Sequence, residues 1–286
     1  MSSGTPSWKS VLAMLSIKIG LIGAGRMATA LARGFIRAEM IPAASIVASD
    51  PSDEARQSFA AEVPGARVTP DNAQAATQAD VVVLAIKPQQ MTQALAEIRG
   101  TVLSGTLVVS IAAGVTLERL AAGLPDGQRI VRVMPNTPCL IGKGASGYSL
   151  GRHAIQADGE LVASLLSAVG AAFEVPEDLL DAVTGLSGSG PAFVYSMIEA
   201  LTSGGMAAGL PSPLASALAA HTVAGAAEMV LQTGETPAVL RERVKSPGGT
   251  TVAGLAVLDE RGFSNIVADA VIAAGRRSAE LGRSNY

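Results

Sequence analysis

The sequence predicts an α/β fold in which an N-terminal, doubly wound sheet is followed by an all-helical C-terminal domain. Two observations carry this prediction. Short β-branched runs alternate with alanine-rich helical stretches as far as about residue 177, and beyond Pro176 only long helical patterns remain. A length of 286 residues also suits two domains of ordinary size. We therefore expect a first domain over residues 17–177, a second over residues 178–286, and a disordered extension over residues 1–16.

The first domain contains five strand candidates, each a short and nearly continuous apolar run. They are residues 17–22, 46–49, 81–86, 107–111 and 130–133. Such runs are buried on both faces, which is typical of a parallel sheet with crossover helices on each side. The second domain has helical patterns at residues 191–208, 213–231, 237–244, 251–259 and 265–281. Their alanine- and glycine-rich faces leave apolar surface that another subunit can cover.

Composition argues against several classes of partner. The chain is 49% hydrophobic, but glycine and proline interrupt it, so the uncharged stretch at residues 200–227 reads as two buried helices and not as a membrane span. A formal net charge of −3 without a dense Lys/Arg cluster argues against nucleic acid. One cysteine, Cys139, and two histidines argue against a disulfide or a metal site. We expect a soluble, cytoplasmic protein that binds small molecules and no metal.

A glycine-rich turn follows the first strand candidate. Gly23, Gly25 and Ala28 have the G-x-G-x-x-A spacing between a predicted strand and a predicted helix. Gly23 permits the tight turn, Gly25 lets the backbone approach a pyrophosphate, and the helix N-terminus supplies amides. A glycine turn in an unrelated α/β protein is the alternative, but strand, spacing and helix all agree. The motif predicts a Rossmann-type βαβ unit and a nicotinamide-dependent oxidoreductase.

Asp50 follows the second strand candidate, where an acidic side chain accepts hydrogen bonds from the ribose hydroxyls and repels a 2′-phosphate. This interpretation favours NADH over NADPH. The alternative is that Asp50 caps the helix that follows Pro51. Ser49 and Ser52 stand beside it as possible phosphate contacts, so the expected cofactor is NADPH or NADH.

Four further segments narrow the family. They are Ala-Ile-Lys-Pro-Gln at residues 85–89, Val-Arg-Val-Met-Pro-Asn-Thr-Pro at 131–138, Leu-Ser-Gly-Ser-Gly-Pro-Ala at 186–192 and Ser-Pro-Gly-Gly-Thr-Thr at 246–251. The first two follow strand candidates, at the sheet edge where ligands bind. In this order, after the glycine turn, the segments resemble those of the Δ1-pyrroline-5-carboxylate reductase family. The resemblance runs from residue 17 to the C-terminus and is most specific over residues 237–259.

The resemblance implies hydride transfer from NAD(P)H to the C=N carbon of 1-pyrroline-5-carboxylate, which gives L-proline. It implies an interlocked homodimer, assembled in some members into a ring of dimers. It also implies that Thr251 is catalytic, through a hydroxyl at the ring nitrogen. The implied substrate-binding residues are Ser246, Gly248, Gly249, Thr250 and Thr251. The predicted cofactor-binding residues are Ile22, Gly23, Ala24, Gly25, Arg26, Met27, Ser49, Asp50, Ala85, Lys87, Pro88, Ala112 and Asn136.

For two of these assignments, the same residues could serve only to shape the local backbone. Pro247 and two glycines cannot extend a helix, so residues 246–250 form a turn whose free amides attract an anion. An ordinary turn with Thr250 or Thr251 as the helix N-cap fits the same residues. Asn136, between two prolines, either contacts the nicotinamide half of the cofactor or forms an Asx turn.

Three other functions compete with this one. A β-hydroxyacid dehydrogenase needs a lysine on the first long helix, and residues 191–209 contain none. A non-catalytic dinucleotide sensor leaves the turn at residues 246–251 without a purpose. A reductase of a related cyclic imino acid, such as pyrroline-2-carboxylate or a piperideine carboxylate, stays open because ring size and carboxylate position depend on pocket side chains.

Overall fold

The computed structural model describes residues 17–283, so the extension predicted for residues 1–16 lies outside the described residues. The chain divides into two compact units. Within the described residues, one unit comprises residues 17–188 together with 274–283, and the other comprises Ser189–Ala273. The sequence analysis placed the boundary after residue 177. In the structure the division falls after Gly188, and the end of the last helix belongs with the first unit.

The first unit is built on an eight-stranded sheet in the order β3-β2-β1-β4-β5-β6-β7-β8. The strands are β1 Ile19–Ile22, β2 Ile46–Ser49, β3 Arg67–Thr69, β4 Val81–Leu84, β5 Leu107–Ser110, β6 Arg129–Met134, β7 Gly144–Leu150 and β8 Gly170–Glu174. After β3 the chain crosses over to the other side of β1. Ligands of doubly wound sheets bind at such a switch point, outside the carboxyl ends of the strands.

Seven helices belong to this unit: α1 Arg26–Arg37, α2 Asp53–Glu62, α3 Asn72–Ala76, α4 Met91–Ile98, α5 Leu117–Gly123, α6 Gln156–Ser167 and α7 Leu180–Val183. Two hydrophobic clusters cover the two faces of the sheet. One contains Leu31 and Phe35 of α1 with Phe59 of α2, and the other contains Met91 of α4 with Leu120 of α5. The helices therefore cover both faces, as the continuous apolar strands predicted.

The five predicted strands are confirmed as β1, β2, β4, β5 and β6, which pair in parallel. The sequence analysis missed β3, β7 and β8, and the prediction of a parallel sheet is wrong for β7, which runs antiparallel to β6. The physical reason is the connection between them. Residues 135–143 are fewer than the dozen or so that a parallel crossover needs.

The second unit contains α8 Gly190–Ala207, α9 Ser212–Thr233, α10 Pro237–Arg243, α11 Thr250–Glu260 and most of α12 Phe263–Arg283. All five predicted helices are confirmed, each within two residues at either end. The two helices predicted around residues 200–227 are α8 and α9, but the prediction that they are buried is wrong for the single chain. Of their side chains only Ala215 and Ala219 are buried.

Helix α9 is the one helix within residues 17–283 whose length and mean hydropathy of 1.4 would suffice for a membrane crossing. Only 11% of that apolar window is buried. Length and composition are weak evidence for a span when they stand alone. Most of the apolar surface of α8 and α9 in the second unit is therefore exposed in the single chain.

The C-terminal end of α12 returns to the first unit. Ser278 is buried, and its hydroxyl donates to the Asp181 carboxylate at 2.6 Å. Asp181 lies 3.9 Å from the buried guanidinium of Arg132, which also pairs with Glu177 at 3.0 Å. Further along, the backbone of Gly282 packs against the loop at Gly114, where a Cβ on Gly282 would lie 3.2 Å from the Gly114 oxygen. The end of α12 is thus part of the first unit's packing.

Candidate active site

The turn after β1 has a backbone that only glycine adopts readily at Gly23. Its φ is +101°, and its amide donates to the Ser49 oxygen at 2.7 Å. A Cβ at this position would lie 2.5 Å from the backbone oxygen of Ala85, which follows β4. Gly23 is therefore required by the fold itself, because the turn passes tightly between β2 and β4.

Gly25, two residues later, is a glycine for a different reason. It is the exposed N-cap of α1, with an ordinary φ of −78°, and a Cβ there would meet nothing within 4 Å. No side chain caps the helix, so the amides of the first turn, including those of Arg26 and Met27, are left to an outside acceptor. The open space and the free amides fit the pyrophosphate of a dinucleotide.

Asp50 turns toward the glycine turn. Its Oδ2 accepts from the Ala24 amide at 3.1 Å and its Oδ1 accepts from the Ser52 amide at 2.9 Å. The alternative that Asp50 caps the next helix is wrong, because α2 begins at Asp53 and Ser52 is its N-cap. A ribose contact by Asp50 stays a prediction, from a carboxylate whose two oxygens already have amide partners.

Ser49 ends β2 and is fully buried. Its hydroxyl lies 2.6 Å from Oδ1 of Asn72 and 3.3 Å from the Leu21 oxygen. Asn72 in turn donates to Glu97 at 2.6 Å. The Ser49 side chain is therefore engaged within the protein, and it aligns the ends of β1 and β2 beside the glycine turn.

The remaining predicted cofactor residues of the first unit follow β1, β4 and β5 at the same edge of the sheet. Ile22 ends β1, and its oxygen accepts from the Ala85 amide at 2.8 Å. Lys87 is exposed and precedes a 3₁₀ turn at Pro88–Gln90. Ala112 is buried, with its amide 3.4 Å from the Ser110 hydroxyl. These segments thus lie at one edge of the sheet, beside the switch point where a ligand crevice is expected.

Asn136 is buried at the end of β6, and its side chain holds two distant segments. Its Oδ1 accepts from the Ala145 amide at 2.9 Å, and its Nδ2 donates to the Ser187 oxygen at 3.1 Å. The Asx-turn alternative is wrong, because both partners are remote in sequence. A nicotinamide contact stays a prediction, with one N–H of the amide left for it. Nearby Cys139 is also buried, and this burial raises the pKa of its thiol.

The predicted substrate loop lies in the second unit. Gly248 has a φ of +67°, and the Gly249 amide donates to the Ser246 oxygen at 2.9 Å, which closes the turn. Gly249 is the N-cap of α11 and no side chain caps the helix, so the alternative of a Thr250 or Thr251 cap is wrong. The amides of these two threonines begin the helix and face an outside acceptor. Such a turn suits a carboxylate.

The sequence analysis did not single out one further side chain, which lies at the carboxyl end of β2. Arg56 of α2 donates through Nη1 to the backbone oxygen of Asp50 at 2.5 Å. Its position in the sequence could have indicated a role at this site, since Arg56 is the single cation between Ser49 and Glu62. Among residues 17–283 no group of three His, Cys, Asp or Glu side chains is arranged to hold a metal ion.

Comparison with known proteins identifies the family. A family model described as pyrroline-5-carboxylate reductase dimerisation matches residues 177–281, and one described as NADP oxidoreductase, coenzyme F420-dependent, matches residues 18–114. A pyrroline-5-carboxylate reductase of Synechocystis is 44% identical, over 94% of this chain and 100% of that protein. This chain belongs to the pyrroline-5-carboxylate reductase family. A Methanosarcina acetivorans member of the family is also 44% identical, over 93% of this chain and 98% of that protein.

Solved structures of pyrroline-5-carboxylate reductases have the same fold. The enzyme from Coxiella burnetii superposes with a TM-score of 0.88 at 35% identity, over 94% of this chain and 100% of that one. The Plasmodium falciparum enzyme, solved with NADP bound, gives 0.84 at 33% identity, over 94% of this chain and 99% of that one. The family resemblance and the α/β fold with a helical dimerisation domain are confirmed. The match to the dimerisation model begins at residue 177, where the sequence analysis ended its first domain.

Proposed function

We propose that this chain catalyses the NAD(P)H-dependent reduction of 1-pyrroline-5-carboxylate to L-proline. The observation that carries this function is 44% identity to pyrroline-5-carboxylate reductases over almost the whole length of both chains. The chain has both the glycine turn of the first unit, at residues 23–28, and the threonine-containing turn of the second unit, at residues 246–251. A sensor that only binds a dinucleotide has no use for the second turn.

The first unit supplies the cofactor site. The amides of Gly25, Arg26 and Met27 hold the pyrophosphate, while the loops at Ala85 and Ala112 border the crevice. NADP bound to the Plasmodium relative supports a dinucleotide here. When bound, the reduced nicotinamide supplies the hydride that reduces the C=N bond.

The second unit supplies the substrate site. The amides of Thr250 and Thr251 and the Ser246 hydroxyl hold the substrate carboxylate, since the Gly249 amide already donates to the Ser246 oxygen. The Thr251 hydroxyl orients the ring nitrogen and relays a proton that solvent delivers. The imine is electrophilic once protonated, so these residues act mainly by positioning it.

Steady-state oxidation of NADPH and NADH tests this function, with 1-pyrroline-5-carboxylate, pyrroline-2-carboxylate and a piperideine carboxylate as parallel substrates. We expect kcat/KM to be highest for 1-pyrroline-5-carboxylate by at least about tenfold. The piperideine ring is larger by one methylene, which a fitted pocket discriminates by about 10- to 200-fold. Pyrroline-2-carboxylate has the same ring size, but its C=N bond includes the carbon that bears the carboxylate, so a carboxylate held in the same place puts the reacting carbon elsewhere. A higher value for another imine would assign the chain to a related reductase. Cofactor binding without turnover of any of the three would instead support the sensor.

The active protein is an interlocked homodimer in this proposal. The helices of the second unit expose large apolar side chains, and α8, α10 and α11 bury no residue at all in the single chain. An apolar groove of about 770 Å³ lies within this unit, between α8, α11 and α12. Its lining includes Phe193, Met197, Leu201, Leu258 and Phe263. Surface of this kind marks a protein interface, and the matching family model is one for dimerisation.

A charge placed in the groove tests the dimer. Leu201→Glu is expected to weaken self-association by more than about a hundredfold, because burying an unpaired carboxylate costs several kcal/mol. Sedimentation velocity should show the unaltered chain as a dimer or a multiple of it, and the variant as a monomer. Leu103→Glu is the control, since Leu103 is similarly exposed but lies in the first unit. A monomeric unaltered chain at micromolar concentration would contradict the dimer.

We propose that the dimer interface extends over the exposed apolar residues of α9, such as Leu218 and Met229, and that α9 does not span a membrane. A ring of dimers predicts a molar mass that is a multiple of the dimer mass in the same experiment. A cytoplasmic location stays a prediction.

A further inference from the structure

The choice between NADH and NADPH depends on the side chains at the carboxyl end of β2, where the 2′ position of the adenosine ribose is expected. Most of the polar groups there are engaged within the protein. The Ser49 hydroxyl contacts Asn72, both oxygens of Asp50 accept backbone amides, and the Ser52 hydroxyl accepts from the Ala55 amide at 3.3 Å. Asp50 therefore holds the glycine turn in place through both of its carboxylate oxygens.

Arg56 is the cation that lies at the carboxyl end of β2. Its Nη1 is held by the neutral Asp50 oxygen, and its Nη2 pairs with the Asp53 carboxylate. The Arg56 side chain is 15% exposed, whereas that of Asp53 is 82% exposed. The guanidinium is thus held at the end of β2 by a partly buried hydrogen bond, while its ionic partner is exposed to solvent and contributes little to holding it.

A phosphate group can replace Asp53 on the guanidinium without moving Arg56 from the Asp50 oxygen. Phosphate carries more negative charge than a carboxylate and matches the planar fork of arginine. The carboxylates of Asp50, Asp53 and Glu54 disfavour a 2′-phosphate here, and Arg56 is the single cation between Ser49 and Glu62 that offsets them. Removal of the Arg56 charge should therefore strongly weaken binding of the 2′-phosphate.

We propose that Arg56 binds the 2′-phosphate of NADPH and makes NADPH the preferred cofactor of this chain. The inference rests on the proposed function for its assay, and it reverses the preference for NADH that Asp50 alone suggested. Arg56 is a specificity-determining residue in this account, and Asp50 is a positioning residue for the glycine turn.

Kinetics of Arg56→Met with both cofactors test the assignment. The kcat/KM for NADPH should fall by about 10- to 100-fold, the range for loss of a charge-assisted hydrogen bond, while that for NADH should change by less than about twofold. Arg56→Lys should recover part of the loss. Arg56→Gln retains a donor for the Asp50 oxygen without the charge, so it reports on the charge even if the methionine variant folds poorly.

Calorimetric binding of adenosine 2′,5′-bisphosphate and of 5′-AMP provides a readout that needs no turnover. The unaltered chain should bind the bisphosphate at least about tenfold more tightly, and Arg56→Gln should bind the two alike. Arg33→Met is the matched control, because Arg33 pairs with Glu62 at the far end of α2 and is well exposed. It should leave both affinities and both cofactor preferences unchanged.

The outcomes separate this inference from the proposed function. An equal loss with NADPH and NADH in the Arg56 variants, or a preference of the unaltered chain for NADH, would overturn the role of Arg56. Discrimination between the two adenosine phosphates that depends on Arg56, without turnover of any cyclic imine, would support the inference and remove the function.

Discussion

Thr251→Val is expected to lower turnover by between ten- and about a thousand-fold, the range for one positioned proton-transfer group. Thr251 is the second residue of α11, and valine has the same shape with a methyl group in place of the hydroxyl. The backbone amide proposed to hold the carboxylate is retained, so KM for the imine should change little. The expected loss is therefore in kcat, measured by steady-state oxidation of the preferred cofactor.

The control for this substitution is Thr202→Val on α8, where the hydroxyl bonds only to the Ile198 oxygen of the same helix. It repeats the chemical change in the same unit, away from the turn at residues 246–251. Unchanged kinetics in Thr251→Val would remove its hydroxyl from the mechanism, and an equal loss in Thr202→Val would show that the effect is not local.

Gly25→Val is expected to weaken binding of either cofactor by more than about a hundredfold while leaving the folded state nearly as stable. The added side chain meets no protein atom within 4 Å of its Cβ, and the φ of −78° suits any residue. At an N-cap the substitution costs about 1 kcal/mol. The isopropyl group instead occupies the open space through which the pyrophosphate is proposed to approach the amides. Titration calorimetry with NADPH and thermal unfolding measure the two effects.

Gly23→Ala provides the comparison, because there the added Cβ meets the Ala85 oxygen and φ is positive. The expected loss of stability is about 1–3 kcal/mol, with weaker cofactor binding as a consequence. Substitutions at the two glycines of this motif should therefore have different effects. Gly25→Val should weaken cofactor binding, whereas Gly23→Ala should lower the stability of the folded state. Retention of full NADPH affinity by Gly25→Val would contradict a pyrophosphate at this turn.

Sequence patterns predicted those parts of the fold that local chemistry determines. Continuous apolar runs identified the five inner parallel strands, whereas β3 has two exposed residues of three, and β7 and β8 both begin with glycine. These three strands exist because a neighbour offers a hydrogen-bonding edge, and no local run of residues encodes that edge. Helix bounds were accurate because prolines and glycines flank the helices.

The candidate site was likewise predictable only in those parts that local sequence determines. The positions of the loops were predictable from their motifs, but the partners of their side chains were not. Asp50 reaches back to Ala24, and Asn136 reaches forward to Ser187, so each interaction depends on the completed sheet. The role of Arg56 likewise emerges only when the end of β2 and the first turn of α2 are seen together.

The return of α12 to the first unit bears on how the chain is made. The ribosome releases the sheet and all seven of its helices before the dimerisation helices, yet Ser278, the partner of Asp181, follows them. The nascent first unit therefore carries an unfilled surface at Asp181 and Gly114 throughout synthesis of the second. Co-translational folding, which usually completes N-terminal domains first, can here finish the first unit only after residues 274–283 have emerged. A fragment cut after Gly188 would retain that defect permanently.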